Sequence, residues 1–260
     1  MKEITIKSLS EFVSHIESIK DVEYYWFRGV ARTKFLPTPG LVWKNLRDEE
    51  SGLEHSFLVS YKAYVNEQNL NSWELFALMQ HHGLPTRLLD WSESALVALF
   101  FSLSSEPNYN GYRAVWVMDP YELNKSTIGL DKLYCPAILE ANHIEHNKNK
   151  IDLRSYLPPN LKPSDIPNLP DKPIAINSTQ NIKRVSSQKG CFTIHGSKND
   201  PINEYIQNDD YFHMIKIDVR SKKLREQMLN SLAALGIDEE FIFQDLDSLV
   251  RNIKRIKQIT

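Results

Sequence analysis

The chain has 260 residues, enough for a substantial hydrophobic core in one large domain or two small ones. Its hydrophobic fraction of 42% and charged fraction of 25% are typical of a soluble globular protein. A formal net charge of -2 excludes a global field that would attract nucleic acid or an anionic membrane. The two cysteines form neither a disulfide framework nor a zinc-binding spacing.

Hydrophobic segments in this sequence are short. The N-terminal residues lack the apolar core of a secretory signal, and the longest apolar run, Ala95 to Phe101, is too short to cross a bilayer. We therefore expect a cytoplasmic protein with no membrane partner.

The first part of the chain predicts helices around one strand. Apolar residues at helical spacing predict an amphipathic helix over residues 8–19. The aromatic-rich segment 22–28, which Gly29 follows, predicts a strand that carries Arg28 at its end. Capping signals predict three further helices, which start near Ser51, Asn71 and Asp90.

The rest of the chain predicts strands followed by two helices. Apolar runs predict strands at 114–118, 174–176, 191–194 and 214–219. The first helix is predicted to turn four apolar residues inward, namely Leu224, Met228, Leu232 and Leu235. The second is predicted to carry the apolar residues Leu246, Leu249, Val250 and Ile253.

The predicted fold class is α+β, with a helical N-terminal half packed on a mixed or antiparallel β-sheet. We expect a single domain over residues 1–260 with its core at roughly 20–250. Residues 141–173 differ in composition, since they contain many polar residues and six prolines. They predict a long mobile loop or lid and not a regular element.

The segment from Gln80 to Trp91 has the strongest functional signal. It places two histidines, Thr86, Arg87 and Asp90 around a Gly-Pro turn, and such loops often carry binding and catalytic groups. His82 can turn into a cleft to carry a proton, or it can cap the preceding helix. Asp90 can bind a ligand hydroxyl or cap the following helix, and Arg87 can pair with it.

Two other clusters add polar groups. Arg28 suits bidentate binding of a phosphate or carboxylate, and Gly29 would let the backbone approach the same ligand. The alternative for Arg28 is an ion pair with a carboxylate such as Glu23. Arg184 and Gln188 lie in a polar turn that feeds a strand, where they can bind a ligand or belong to an ordinary loop.

Several patterns typical of enzymes are absent from the sequence. It has no Walker loop, no Rossmann glycine pattern, no G-x-S-x-G and no H-E-x-x-H. We expect no metal site, because the adjacent residues His81 and His82 would point apart on a helix.

Three motifs together resemble the FRG-domain family. They are Phe27-Arg28-Gly29, the segment 82–91, and Arg184 followed by Gln188, Gly190 and Phe192. Gly236-Ile237 with residues 243–247 is similar to the family's C-terminal pattern, although Pro often stands at the position of Gln244. The resemblance spans roughly residues 20–250. It implies an association with bacterial and phage-conflict proteins.

The order of the motifs also has a weaker, partial similarity to ADP-ribosyltransferases. In those enzymes a strand ends in an aromatic-Arg-Gly triplet whose arginine contacts NAD, and a later turn supplies a catalytic glutamate. Arg28 matches the first feature, but the turn at 188–190 contains no glutamate. Glu140, Asp90 or Asp245 would have to replace that acid.

These resemblances and residues predict a cleft formed by Arg28, the 80–91 loop and the 184–190 turn. Five residues would bind the ligand, namely Arg28, Gly29, Thr86, Arg87 and Arg184. Three would be catalytic, namely His82, Asp90 and Gln188. The expected ligand is a nucleotide or another phosphate-bearing small molecule, with NAD as the leading candidate and as a substrate.

The resemblance to ADP-ribosyltransferases implies ADP-ribosyl transfer or NAD glycohydrolysis, with a protein or nucleic-acid acceptor, in a toxin or antiphage effector. One alternative is a non-catalytic module that recognises a nucleotide or a nucleic-acid end. Another is a scaffold whose polar loop only organises the fold.

Overall fold

The computed structural model describes residues 3–65, 69–138, 143–146, 149–166, 168–179 and 183–257. Within these ranges the strands are β1 (Glu3–Ile6), β2 (Trp26–Val30), β3 (Leu88–Ser92), β4 (Arg113–Met118), β5 (His143–His146), β6 (Asn149–Asp152), β7 (Ile174–Asn177), β8 (Gly190–Ile194) and β9 (Phe212–Ile217). The α-helices are α1 (Leu9–Glu17), α2 (Gly40–Trp43), α3 (Glu50–Ser60), α4 (Ser72–His81), α5 (Ala95–Ser104), α6 (Pro120–Ile128), α7 (Lys183–Ser187), α8 (Lys222–Ala234), α9 (Glu239–Phe243) and α10 (Leu246–Lys257). Short 3-10 helices lie at Val22–Tyr24, Arg47–Glu49, Tyr61–Ala63, Pro136–Ile138, Leu153–Tyr156 and Ile202–Glu204.

Seven strands form one mixed sheet in the order β1-β9-β4-β2-β3-β8-β7. β1 and β9 pair in parallel, and the other neighbours in this sheet pair antiparallel. β5 and β6 form a separate antiparallel pair. Since helices pack on this sheet, the predicted α+β class is confirmed.

The core lies on both faces of the sheet because successive residues of a strand point in opposite directions. On one face Val115 and Val117 of β4 pack with α1, α5 and α8. On the other face Ala114 and Trp116 belong to a second apolar cluster with residues of β2, β3 and α6. All six residues of β4 are buried, as its continuous apolar sequence predicts.

A third apolar cluster lies between α4 and the strands β3, β7 and β8. Asn71 caps α4, as predicted, and it also forms a capping box with Glu74. The cluster includes the fully buried Leu153 and Tyr156, which come from the segment 141–173. The sequence analysis expected no regular element in that segment, but its described part contains β5, β6 and a 3-10 helix, because apolar side chains there fill the core. Residues 141, 142, 147, 148 and 167 lie outside the described ranges.

Two element boundaries near the predicted site differ from the sequence analysis. β2 begins at Trp26, so Arg28 lies in the middle of the strand and not at its end. Asp90 lies within β3, and the cap of α5 is Ser94, whose hydroxyl accepts a hydrogen bond from the Val97 amide. Asp90 therefore does not cap a helix.

The helices α8 and α10 expose several of the apolar side chains named in the sequence analysis. Met228 and Leu232 of α8 are buried as expected, but Leu224 and Leu235 are 42% and 62% exposed. In α10, Leu246, Val250 and Ile253 are all exposed. The reason is that α10 packs on the protein through polar residues, which include Ser248 and Asn252.

None of the helices in the described ranges is both long enough and apolar enough to span a membrane.

Candidate functional site

The sheet is nearly divided between β2 and β3. These neighbouring strands pair at a single position, Phe27 with Ser92. By contrast, β2 pairs with β4 from Trp26 to Val30, and β3 pairs with β8 from Leu88 to Ser92. The sheet thus consists of a four-stranded and a three-stranded part, and we call the unpaired space between them, beside Arg28 and Asp90, the strand split.

Arg28 extends into the strand split. Its Nη1 donates a hydrogen bond of 2.6 Å to the backbone oxygen of Asp90 and lies 3.8 Å from Asp90 Oδ2. The side chain is 25% exposed. Its Nε is buried and has no hydrogen-bond acceptor within the described part of the chain. Burial lowers the pKa of the guanidinium below its usual value, and the nearby Asp90 charge partly opposes this effect.

A chain of hydrogen bonds orients the carboxylate of Asp90. Gln80 Nε2 donates to Asp90 Oδ2 at 2.7 Å, and Thr86 Oγ1 donates to Gln80 Oε1 at 2.6 Å. The Thr86 hydroxyl in turn accepts from the Leu88 amide at 3.0 Å. Thr86 is buried while the Asp90 side chain is 56% exposed. The carboxylate is therefore held from the protein side and open to solvent on the other.

The strand split lies inside the part of the sequence that matches a known family. Residues 23–111 match the sequence model of the FRG domain. The chain contains an FRG domain. The match includes β2, α4 and β3, whereas the motif at Arg184 and Gln188 lies beyond it. No curated protein and no solved structure matches the chain. The comparisons do not support the resemblance to ADP-ribosyltransferases.

The glycine of the FRG triplet has a packing role. A Cβ atom at Gly29 would overlap the carbonyl oxygen of Ala98 and lie 2.6 Å from the amide nitrogen of Ser102. Gly29 thus allows α5 to lie directly on β2. This contact accounts for a glycine here without a ligand, so the predicted approach of a ligand to its backbone has no structural support.

Arg87 lies in the core of the FRG domain and not in the strand split. Its side chain is 1% exposed, and its Nε pairs with Glu50 Oε1 at 2.7 Å. Nη1 donates to the backbone oxygen of His195 at 2.9 Å, and Nη2 donates to that of Tyr156 at 2.6 Å. Arg87 does not pair with Asp90, and in this position it is closed to a ligand from solvent. The structure gives it a structural role in place of the predicted binding role.

Two predicted catalytic residues, His82 and Gln188, make no hydrogen bond or ion pair with Arg28 in the described part of the chain. His82 is the exposed C-terminal cap of α4, and its ring packs edge-on against His81. Gln188 donates from Nε2 to the backbone oxygen of Ile242 at 3.1 Å. The backbone oxygen of Gln188 accepts from the Ser92 hydroxyl at 2.6 Å, which places its turn beside the end of β3.

The remaining candidates are placed as follows. The side chain of Arg184 and the whole of Glu140 lie outside the described part of the structure. Asp245 caps α10, since its Oδ1 accepts from the Ser248 amide at 2.7 Å, so it is not free to replace the missing glutamate. Gln80 is a site residue to which the sequence analysis gave no role. Its only signal was a polar residue in the last turn of α4, directly before the motif.

A separate cleft of about 780 Å³ lies between the N-terminal segment and the loops that flank β4 and β9. Tyrosine and aspartate side chains form much of its lining, and none of the predicted site residues takes part. Within it, Tyr25 donates to the backbone oxygen of Asp210 at 3.1 Å. Burial, followed by the charge of Asp119, raises the pKa of Tyr25 to about 12. Because its nearby charges are mainly negative, this cleft is unfavourable for a phosphate.

Within the described ranges, no group of three or more His, Cys, Asp or Glu residues is placed to hold a metal ion.

Proposed function

We propose that the FRG domain binds a nucleotide in the strand split, with NAD as the leading ligand and as a substrate. The observation that carries this proposal is the pairing of Arg28 with a solvent-facing Asp90 where the sheet is otherwise unpaired. A cation that can bind a phosphate and a carboxylate that can bind a ribose hydroxyl thereby lie side by side.

Arg28 supplies the phosphate contact. Its Nε–H is buried and has no acceptor among the residues that the structure describes, and an unsatisfied buried donor costs about 1–3 kcal/mol. A phosphate oxygen that enters the strand split would satisfy this donor together with one Nη–H, in the bidentate geometry that guanidinium groups favour. Because β2 and β3 pair only at Phe27 and Ser92 within the described residues, entry beside Arg28 breaks little of the sheet.

Asp90 supplies the chemistry in this proposal. When the bond between the ribose and nicotinamide breaks, nicotinamide leaves with the electron pair and positive charge develops on the ribose. The Asp90 carboxylate, held by Gln80, would accept a hydrogen bond from a ribose hydroxyl and stabilise that charge. Of the three predicted catalytic residues, Asp90 is the one that lies beside Arg28. It would fill the role of the missing glutamate.

The products depend on what attacks the ribose. Water gives NAD glycohydrolysis, and a protein or nucleic-acid group gives ADP-ribosyl transfer, and in both the proton of the attacking group passes to solvent. Either reaction fits a toxin or antiphage effector. The second candidate function is a non-catalytic module that recognises a nucleotide. The hydrogen bond from Arg28 to the Asp90 carbonyl favours this function, because it orients the guanidinium for binding, and binding alone requires no catalytic group.

The test uses variants matched in chemistry. Arg28→Gln and Asp90→Asn alter the site, and Arg220→Gln and Asp218→Asn alter an Arg–Asp pair that lies after β9. Each protein is incubated with NAD, with and without cell lysate, and nicotinamide is followed by chromatography. Stabilisation by NAD, ADP-ribose and ADP is measured by thermal shift.

For the enzyme we expect Arg28→Gln to lose nucleotide binding. Asp90→Asn should keep binding and release nicotinamide at least about 100-fold more slowly, which is typical for the loss of one preorganised electrostatic group. The two control variants should match the unaltered protein. Nucleotide stabilisation that needs Arg28, with no nicotinamide release, would establish the binding module. Folded protein that is neither stabilised nor active would disprove both.

A further inference from the structure

Helix α10 is oriented with its polar side toward the protein. Ser248 and Asn252 are buried, and Asn252 Nδ2 donates to Glu240 Oε2 at 2.7 Å. Arg251 pairs with Glu239 at 2.6 Å. These contacts attach α10 to α9 through hydrogen bonds and ion pairs. The usual arrangement of an amphipathic helix, with the apolar side inward, is reversed.

The outward side of α10 carries a row of apolar side chains, which we call the α10 stripe. Its members are Leu246, Val250, Ile253 and Ile256, which are 78%, 50%, 47% and 62% exposed. Their spacing of three and four residues places them on one face of the helix. A continuous exposed apolar face of this kind marks an interaction surface.

We propose that the α10 stripe joins two copies of this chain, with the two α10 helices antiparallel about a two-fold axis near Val250. This inference is independent of the nucleotide site.

Charges beside the stripe specify this partner and this direction. Asp247 and Lys254 are seven residues apart, so they lie on the same edge of the stripe. In an antiparallel pair of helices, equivalent edges face each other. Asp247 of one copy would therefore lie opposite Lys254 of the other, and the two-fold axis repeats the pair. A parallel pair would separate these edges.

The other two basic residues of the helix centre make their ion pairs within the same chain, and Asp247 adds only the smallest of the charges that act on Arg251. Arg251 pairs with Glu239, and Arg255 lies 3.4 Å from Asp238, within the same chain. Antiparallel helices also place the positive N-terminus of one dipole near the negative C-terminus of the other. The face is thus complementary to itself in charge.

The contact is small. A helix of 12 residues is about 18 Å long, and the buried area would fall below the roughly 1,600 Å² of a standard interface. We therefore expect a weak dimer, with a dissociation constant on the order of 10 µM.

Sedimentation velocity on the full chain, from about 1 to 500 µM, tests the proposal around that dissociation constant. The unaltered protein should shift from monomer to dimer over this range. Val250→Glu should remain monomeric, because it places two carboxylates at the axis. Val59→Glu is the matched control, since Val59 is 71% exposed on α3, and it should dimerise normally. Far-UV circular dichroism and thermal melting verify that each variant is folded.

A charge exchange tests the antiparallel direction. Asp247→Lys and Lys254→Asp should each raise the dissociation constant about tenfold or more, because each replaces two attractive pairs by two repulsive ones. The double variant should return to within about threefold of the unaltered protein, since it restores both pairs. A double variant as weak as the singles would overturn the antiparallel arrangement.

Two further results would overturn the proposal. One is a protein that stays monomeric throughout the concentration range. The other is a monomeric protein that sediments with vesicles of phosphatidylcholine and phosphatidylserine and loses this binding in Val250→Glu, since the stripe would then be a lipid-binding surface.

Discussion

Gly29 of β2 lies against the backbone of Ala98 in α5, with no room for a side chain between them. The close approach brings the apolar α5 onto Phe27 and Val115 in the centre of the sheet. The glycine of the triplet therefore determines how deeply this helix packs, while the arginine beside it faces the strand split.

Gly29→Ala should destabilise the protein by about 3 kcal/mol, because the added methyl group overlaps backbone atoms that cannot rotate away. Urea denaturation measures the free energy of unfolding. Gly52→Ala is the control: Gly52 lies in α3 with space around it, so alanine should stabilise the helix by roughly 0.5–1 kcal/mol. A stable Gly29→Ala protein that has lost nucleotide binding would instead place Gly29 in the ligand site.

Arg87→Gln should cost about 3–5 kcal/mol of stability, which is typical when one partner of a buried ion pair is removed. The substitution leaves Glu50 without its cation and the two carbonyl oxygens of Tyr156 and His195 without their donors. Arg220→Gln, at an exposed ion pair, should change stability by less than about 1 kcal/mol. Equal stability of the two variants in urea would contradict the structural role of Arg87.

His195 should make the protein less stable in mild acid. It is fully buried, and burial lowers its pKa from 6.5 to about 3, although its hydrogen bond to the Asp200 carbonyl partly opposes the shift. Below pH 6.5, His195 is therefore protonated in the unfolded state but stays neutral in the folded state until the pH approaches about 3. The contribution of neutral His195 to the free energy of unfolding is present above pH 6.5 and is lost as the pH falls. The loss is about 1.4 kcal/mol at pH 5.5.

The measurement is the free energy of unfolding in urea at pH 7.5 and pH 5.5. The difference between these values should be smaller in His195→Gln by about 1.4 kcal/mol, whatever the absolute stability of the variant. Val59→Gln changes an exposed side chain that does not titrate and should leave the difference as it is in the unaltered protein. An unchanged pH dependence in His195→Gln would show that another group is responsible.

The sequence was sufficient to predict helices and strands where a local pattern of residues determines them. The helix at 8–19, the N-cap at Asn71 and the buried strand at 114–118 follow from periodicity and composition. Prediction from the sequence failed for Asp90, because Asp-Trp-Ser-Glu before an apolar helix has the composition of a helix N-cap. The strand β8 pairs with this segment instead and draws it into the sheet.

Partners distant in sequence explain the other failures. The burial of Arg87 depends on Glu50, Tyr156 and His195, whose positions only the fold reveals. For α10 the sequence correctly predicted an apolar side, but periodicity does not tell which side of a helix meets the protein. The same limit applies to Arg28 and Asp90: both were selected, yet their contact across neighbouring strands was not foreseen.

The single pairing of Phe27 with Ser92 makes the line between β2 and β3 the most compliant part of the seven-stranded sheet described above. Along its other junctions, a change in angle would have to break a ladder of backbone hydrogen bonds. Here the backbone pairing to be broken is one residue pair, together with the hydrogen bond of one arginine. Any molecule that replaced Asp90 as the partner of Arg28 would therefore act at a hinge, and could turn α4 and the three-stranded part relative to α5 and the four-stranded part.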